Sequence, residues 1–148
     1  MARKRMFSRD VVQSDAFLSL PLSSQALYFH LSMYADDDGF VSNALSIQRM
    51  IGCNADDMTL LVARKFLIQF PDGVFVIKHW RINNNSLSLQ HYKPTEYQED
   101  LQSLNVKGNK AYTLDKDQGK PAGDKVLLVD ENGEIAKSLT SKAIKKSC

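Results

Sequence analysis

Long apolar runs are missing from this sequence. No stretch reaches the roughly 18 residues that a membrane-spanning helix needs, so a helical span is excluded. The basic residues near the start, Arg3, Lys4 and Arg5, are not followed by an apolar core and a small-residue cleavage site, and no secretory signal is expected. Cysteine is scarce. Cys53 and Cys148 cannot build a disulfide framework, and their usage fits a reducing compartment, the cytoplasm being the expected location. An excess of charge of one sign is nearly absent as well: 19 basic and 17 acidic residues leave a net +2. That is too little to argue for a nucleic-acid partner by itself. Also absent are a glycine-rich phosphate loop, a nucleophile elbow and a spaced pair of carboxylates, so neither catalytic residues nor enzyme activity is expected. His30, His79 and His91 have no metal-ligand spacing with one another or with Cys53, and no metal or cofactor is expected. Asp36, Asp37 and Asp38 before Gly39 begin like a calcium loop. The twelfth position, however, is Ile47 rather than a glutamate, so the segment reads as a turn.

What is there is an ordinary globular composition, 43% apolar and 24% charged over 148 residues. A chain of this length can bury a core without disulfide or metal staples. All seven Phe, the single Trp and four of the five Tyr lie before residue 98. Aromatics carry much of the area a core can bury. The expected division is therefore a domain over 6–97 and a C-terminal extension over 98–148, with a polar, Gly- and Pro-containing stretch at 115–125. Within the extension, 110–114 reads as an extended piece. Asn132-Gly133 between apolar flanks reads as a hairpin over 125–137, and 138–148 as a basic tail.

The local signals of the first hundred residues have a definite order. A helix capped by Ser23 or Ser24 runs to about Tyr34, with Ala26, Leu27, His30, Leu31 and Tyr34 on one stripe and His30 as a core histidine. Asp36–Gly39 turns the chain into a short extended Phe40-Val41. A second helix over 44–51 is capped by Ser42 or Asn43 and stopped by Gly52 in a left-handed conformation. Cys53 reads as a small, semi-buried residue in the turn that follows. Asn54 caps a third helix over 55–65, with Asp56 and Asp57 where the helix dipole favours them. Strands at 67–70 and 74–79 flank the turn Pro71-Asp72-Gly73. Trp80 then anchors the chain leaving the second strand. Helix, short strand, helix, helix and hairpin make an α+β arrangement, a winged helix-turn-helix with a three-stranded sheet.

Several stretches carry a family resemblance. They are Arg3-Lys4-Arg5-Met6-Phe7-Ser8, the run from Leu20 to Leu31, Ala35 to Val41, Arg49-Met50-Ile51-Gly52, Val76 to Trp80 with Ile82-Asn83-Asn84, and Tyr92-Lys93-Pro94-Thr95 with Tyr97-Gln98-Glu99. Over about residues 3–115 the chain resembles the N-terminal domain of phage replisome organiser proteins, replication initiation proteins of phages and prophages. The resemblance implies a DnaD-like winged helix that binds origin DNA and helps load the host replication machinery. Members usually continue well past this length, so the resemblance carries the DNA-binding role further than the loading role.

The chemistry of DNA contact is uneven along the chain. Asp56 and Asp57 open the third helix, the element expected to read bases, and carboxylates there oppose phosphate. Asn54, Thr59, Arg64 and Lys65 are its remaining polar candidates, and the wing turn offers no basic residue. Phosphate contact is assigned instead to Arg3, Lys4, Arg5 and Arg9 in a basic arm, to Arg49, and to Lys78, Arg81 and Lys93. Asn83 and Asn84 are candidate donors, although a polar loop with Asn in turn conformations is the favoured reading. The first expectation is thus a non-catalytic phage protein that binds double-stranded DNA. A second is a winged helix that assembles copies of itself or binds a host replication or defence protein, as an anti-defence inhibitor would. A third is a small transcription regulator.

Overall fold

A computed structural model of the chain describes residues 4–84, 87–88, 92–123, 126–129 and 135–139. Arg3, His91, the Asn132-Gly133 turn and the basic tail beyond 139 lie outside these residues. Two single-turn helices, α1 (Arg9–Val12) and α2 (Asp15–Leu18), lead into α3 (Leu22–Tyr34). Strand β1 (Phe40–Val41), helices α4 (Ala44–Ile51) and α5 (Ala55–Ala63), and strands β2 (Leu67–Gln69) and β3 (Phe75–Ile77) follow. Then come α6 (Trp80–Asn83), β4 (Leu87–Ser88), α7 (Gln98–Gln102), β5 (Asn105–Val106), β6 (Tyr112–Thr113), β7 (Lys120–Pro121), β8 (Val126–Val129) and β9 (Ile135–Leu139). The architecture is mixed helix and sheet, α+β. Strands β1, β3 and β2 form one antiparallel sheet in that order, with Phe40 opposite Val76 and Ile68 opposite the same residue from the other side. A second antiparallel sheet has the order β6-β5-β7. In a third, β8 pairs antiparallel with β9 and parallel with β4. Among the described residues no helix is long and apolar enough to cross a membrane.

Local chemistry accounts for most boundaries. Gly52 ends α4 at φ 78°, and Gly73 closes the β2–β3 turn at φ 84°, where the Phe70 amide donates to the Val74 carbonyl at 2.9 Å. Asp72 accepts from the Val74 amide in the same turn. Helix α5 stops at a left-handed residue too, but the residue there is Lys65, at φ 64°, with the Phe66 amide reaching back to the Leu61 carbonyl at 2.9 Å.

Helix α3 departs from the expected pattern. Pro21 occupies the position before its first turn, and neither Ser23 nor Ser24 caps it. Its buried residues are Ser24, Leu27, Tyr28, Leu31 and Ser32, one face at i, i+3, i+4, i+7 and i+8. The stripe is therefore rotated from the expected one, and His30 and Tyr34 are exposed. Two serines defined the buried face, and apolar periodicity does not count them. The second strand ends at Ile77, so Trp80 sits on a helical turn rather than on a strand face, fully buried as expected.

The core does not stop at residue 97. Leu101, Leu104, Tyr112 and Ala122 belong to the same buried cluster as Leu27, Leu31, Ile47, Leu61 and Val76. The aromatic census set the edge too early because this part of the core is made by Leu, Ala and one Tyr. The Tyr112 amide also donates to the Lys78 carbonyl at 2.9 Å, and the Ala122 amide to Leu104. Leu104 is fully buried. Leu104→Ala is expected to lower the unfolding free energy of the whole chain by about 2–5 kcal/mol, read as a shifted single urea transition. An unchanged main transition would mean that residues 98–123 unfold separately.

Candidate functional site

Three consecutive aspartates organise the polar interior. Asp37 and Asp38 are buried, and Asp36 is half-buried. Such a run needs donors, since an unpartnered buried carboxylate is strongly unfavourable. Asp36 accepts from the amides of Asp38 and Phe40, which forms the turn, and from the Thr95 hydroxyl. Asp37 pairs with Arg5 at 3.0 Å, with the two side chains 3% and 1% exposed, and accepts the Lys93 amide at 2.9 Å. Asp38 accepts the Thr95 amide at 2.8 Å and the Tyr92 hydroxyl at 3.0 Å. Backbone carbonyls of the same turn take the Trp80 indole N–H and the Tyr112 hydroxyl. Gly39 sits at φ 92° under the indole, and a Cβ there would come within 2.6 Å of Trp80 Cγ, so glycine is required.

This network uses up four of the residues assigned above to DNA. The Arg5 guanidinium lies in the ion pair, donates to the Ala35 carbonyl at 2.8 Å and covers the Trp80 ring at 5.0 Å. It is a structural cation rather than part of a free arm. Arg81 donates to the Ala122 carbonyl at 2.9 Å and lies over the Tyr112 ring. The Asn83 side chain accepts from the Ser8 amide and donates to the Tyr28 hydroxyl, and Asn84 accepts from the Met6 amide. Both asparagines hold residues 6–8 against the body of the protein, a role that neither the DNA reading nor the turn reading described. Lys93 contributes its backbone to the turn but keeps an exposed side chain.

The other candidates remain at the surface. Lys4, Arg9, Arg49, Asn54, Thr59, Arg64 and Lys65 are exposed, and Lys78 is half-buried. The acidic start of α5 is less acidic outward than its sequence. Asp57 is turned inward, where it accepts from the Ser23 and Ser24 hydroxyls at 2.7 Å and from the Asn54 amide at 3.1 Å. Desolvation pushes this carboxyl up, but the three donors outweigh it and hold it below the usual range. The solvent face of α5 is then Ala55, Asp56, Thr59 and Ala63. Cys53 is half-buried in the preceding turn, as expected.

One basic cluster has a shape around it. Lys65 and Lys78 line a groove of about 470 Å³ between β2 and the segment from Tyr112 to Asp115. Burial and the nearby charges of Lys107 and Lys65 hold the Lys78 ammonium below the usual lysine range. Burial, with Lys78 and Lys107 adding to it, pushes His79 down to about 4, so its ring is neutral at pH 7. Lys107 has no distinguishing signal in the sequence, because only the folding of the extension onto β3 brings it there. Tyr92 and Thr95 at the aspartate turn carry no local signal of that role either, because only long-range folding brings them to Asp36 and Asp38. Among the described residues no group of three His, Cys, Asp or Glu side chains could hold a metal ion. Compared with known proteins, the chain matches no family model, no curated protein and no solved structure.

The aspartate turn has a titration signature. Burial is the largest cause raising Asp38 to about 6; the Asp36 charge adds to the rise, while the Thr95 amide, Arg81 and Tyr92 oppose it. A folded-state value above the unfolded one means that the native protein holds this proton more tightly. Stability from this group therefore falls as pH rises from about 4 to 6, by at most on the order of 3 kcal/mol. Asp100, raised by burial and by Asp72 to about 6, titrates in the same window. The wild type is therefore compared with a variant that also carries Asp100. Urea midpoints at pH 4, 5 and 6 are expected to fall less with pH in Asp38→Asn than in the wild type. Parallel pH profiles would contradict the assignment.

Proposed function

We propose that the chain is a non-catalytic protein that binds double-stranded DNA through a winged helix-turn-helix over residues 22–77. Its context would be replication initiation in a phage or prophage, and its location the cytoplasm of the bacterial host. The observation that carries this reading is the order α3-β1-α4-α5-β2-β3 with β1 and β2 flanking β3 in one antiparallel sheet. A tight turn at Gly52-Cys53 joins α4 to α5, the disposition in which a second helix is offered to a major groove. The inward-facing Asp57 supports the same reading, since only Asp56 of the pair is left to repel phosphate from the α5 face. Phosphate contacts fall to Lys4, Arg9, Arg49, Arg64 and Lys65, with Asn54 and Thr59 nearest to base edges. The phage assignment rests on the resemblance alone, and a transcription regulator would use the same surface at a different site.

A second reading has its own observation. Helix α4 exposes Leu45 and Met50, 57% and 63% accessible, on either side of Arg49. Large apolar side chains beside a basic one suit a protein interface. In this reading the same helices assemble copies of the chain or hold a host replication or defence protein.

Fluorescence anisotropy of a labelled duplex across a salt series separates the two. Saturable binding is expected, with log K falling linearly in log salt. Replacing Lys4, Arg9 and Arg49 by Gln is expected to reduce the slope by about 0.9 for each phosphate no longer neutralised. Arg5 stays in place in these variants, because its removal strands Asp37. Absence of binding at low salt would exclude both DNA readings and leave the protein interface.

A further inference from the structure

The groove beside Lys65 and Lys78 has a construction that DNA binding does not call for. Residues of two outer strands line it. Strand β2 is the outer strand of the sheet β1-β3-β2, and β6 is an outer strand of the sheet β6-β5-β7. Among the described residues β2 pairs only with β3, and β6 only with β5. Ile68 of β2 and Tyr112 of β6 both line the groove. The Tyr112 amide donates away from β5 to the Lys78 carbonyl at 2.9 Å. The lining is apolar at half-buried Ile68 and at Leu114, which is 53% exposed. It is basic at Lys65 and Lys78, and Lys107 adds charge close to Lys78. The one carboxylate in the lining is Asp115. Among the described residues no salt bridge neutralises any of the three lysines.

We infer that this groove is a docking site for an extended acidic peptide segment of a partner protein, which inserts as a strand paired with the free edge of β2. Each part of the groove has a use in that arrangement. The unpaired edge of β2 supplies main-chain hydrogen bonds, and alternate side chains of an added strand face opposite ways. Apolar residues of the segment meet Ile68 and Leu114. Its carboxylates meet Lys65 and Lys78, whose mutual repulsion they relieve. Asp115 disfavours a carboxylate at its own end and so sets the direction of the segment. A duplex would use the lysines but neither the β2 edge nor the apolar lining, and this favours a peptide over nucleic acid. The site shares Lys65 with the DNA-binding reading but does not rest on that reading, and either can hold without the other.

The test uses the full chain and three fluorescein-labelled seven-residue peptides. One alternates glutamate and valine, one alternates lysine and valine, and one is the glutamate peptide with alternate backbone nitrogens methylated. The glutamate peptide is expected to bind saturably. Amide chemical-shift changes should concentrate at 65–69, 78 and 112–115. In Lys65→Glu/Lys78→Glu, with its amide spectrum otherwise retained, the affinity should fall by about tenfold or more, as for a reversed charge pair across an interface. Loss of binding on methylation would support strand pairing, because the methylated nitrogens cannot donate. Equal binding of the methylated peptide would overturn the strand insertion. No saturable binding, or equal binding of the lysine peptide, would overturn the site. Displacement of the glutamate peptide by a 20-base-pair duplex that shifts the same amides would assign the groove to nucleic acid instead. Shifts of those amides with protein concentration alone would assign it to a second copy of the chain. Both of these results overturn the proposal.

Discussion

Burying adjacent carboxylates is the constraint on which the rest of this structure depends. Asp36, Asp37 and Asp38 lie side by side in the turn between α3 and β1, and Asp37 and Asp38 are nearly inaccessible to solvent. Like charges this close repel, and low-dielectric surroundings penalise each one, as the raised values of Asp36 and Asp38 reflect. The chain satisfies them with donors from three distant places. Arg5 comes from the start of the chain, Tyr92, Lys93 and Thr95 come from the stretch before α7, and Arg81 sits close enough to Asp38 to offset part of its charge. The turn thereby ties the N-terminal segment, the helical layer and the C-terminal segment into one body. Trp80 and Tyr112 complete it by donating to backbone carbonyls of the same turn.

This arrangement changes what the polar residues signify. A run such as Arg3-Lys4-Arg5 reads as a basic arm, yet its last member is an internal ion-pair partner. Asn83 and Asn84 read as nucleic-acid donors or turn residues, yet they clamp the backbone of residues 6–8. The charge left for a partner is correspondingly less on the segment before α1 and more evident at the lysines around the β2–β6 groove. A motif-rich stretch is thus informative about architecture before it is informative about ligands.

Much of the fold was legible because its signals are local. Gly52 and Gly73 take positive φ where a helix and a turn require it, and Asp57 accepts the Asn54 amide at the start of α5. The order of helices and strands through Ile77 followed from such signals and from apolar spacing. Long-range polar bonding was not legible in the same way. Ser23 and Ser24 have the composition of caps, but their hydroxyls are committed to Asp57, more than 30 residues away, and Ser24 is drawn to the buried face of α3. The docking of residues 98–123 depends on backbone carbonyls of Lys78 and Asp38 as acceptors, and no side-chain pattern announces that. Of the candidate site, the exposed basic residues on α4 and just after α5 could be read from the sequence. The grouping of Lys65, Lys78 and Lys107 could not, because it is created by the packing of the extension.

Native-state hydrogen exchange tests the central claim most directly. The amides of Lys93 and Thr95 donate to Asp37 and Asp38, outside any helix or strand. If the aspartate turn joins the three segments into one cooperative unit, these two amides exchange only through global unfolding. Their exchange free energies then match that of Val76 in the central strand and fall with denaturant at the same slope. Fast, denaturant-independent exchange at Lys93 and Thr95, with Val76 still protected, would contradict the account.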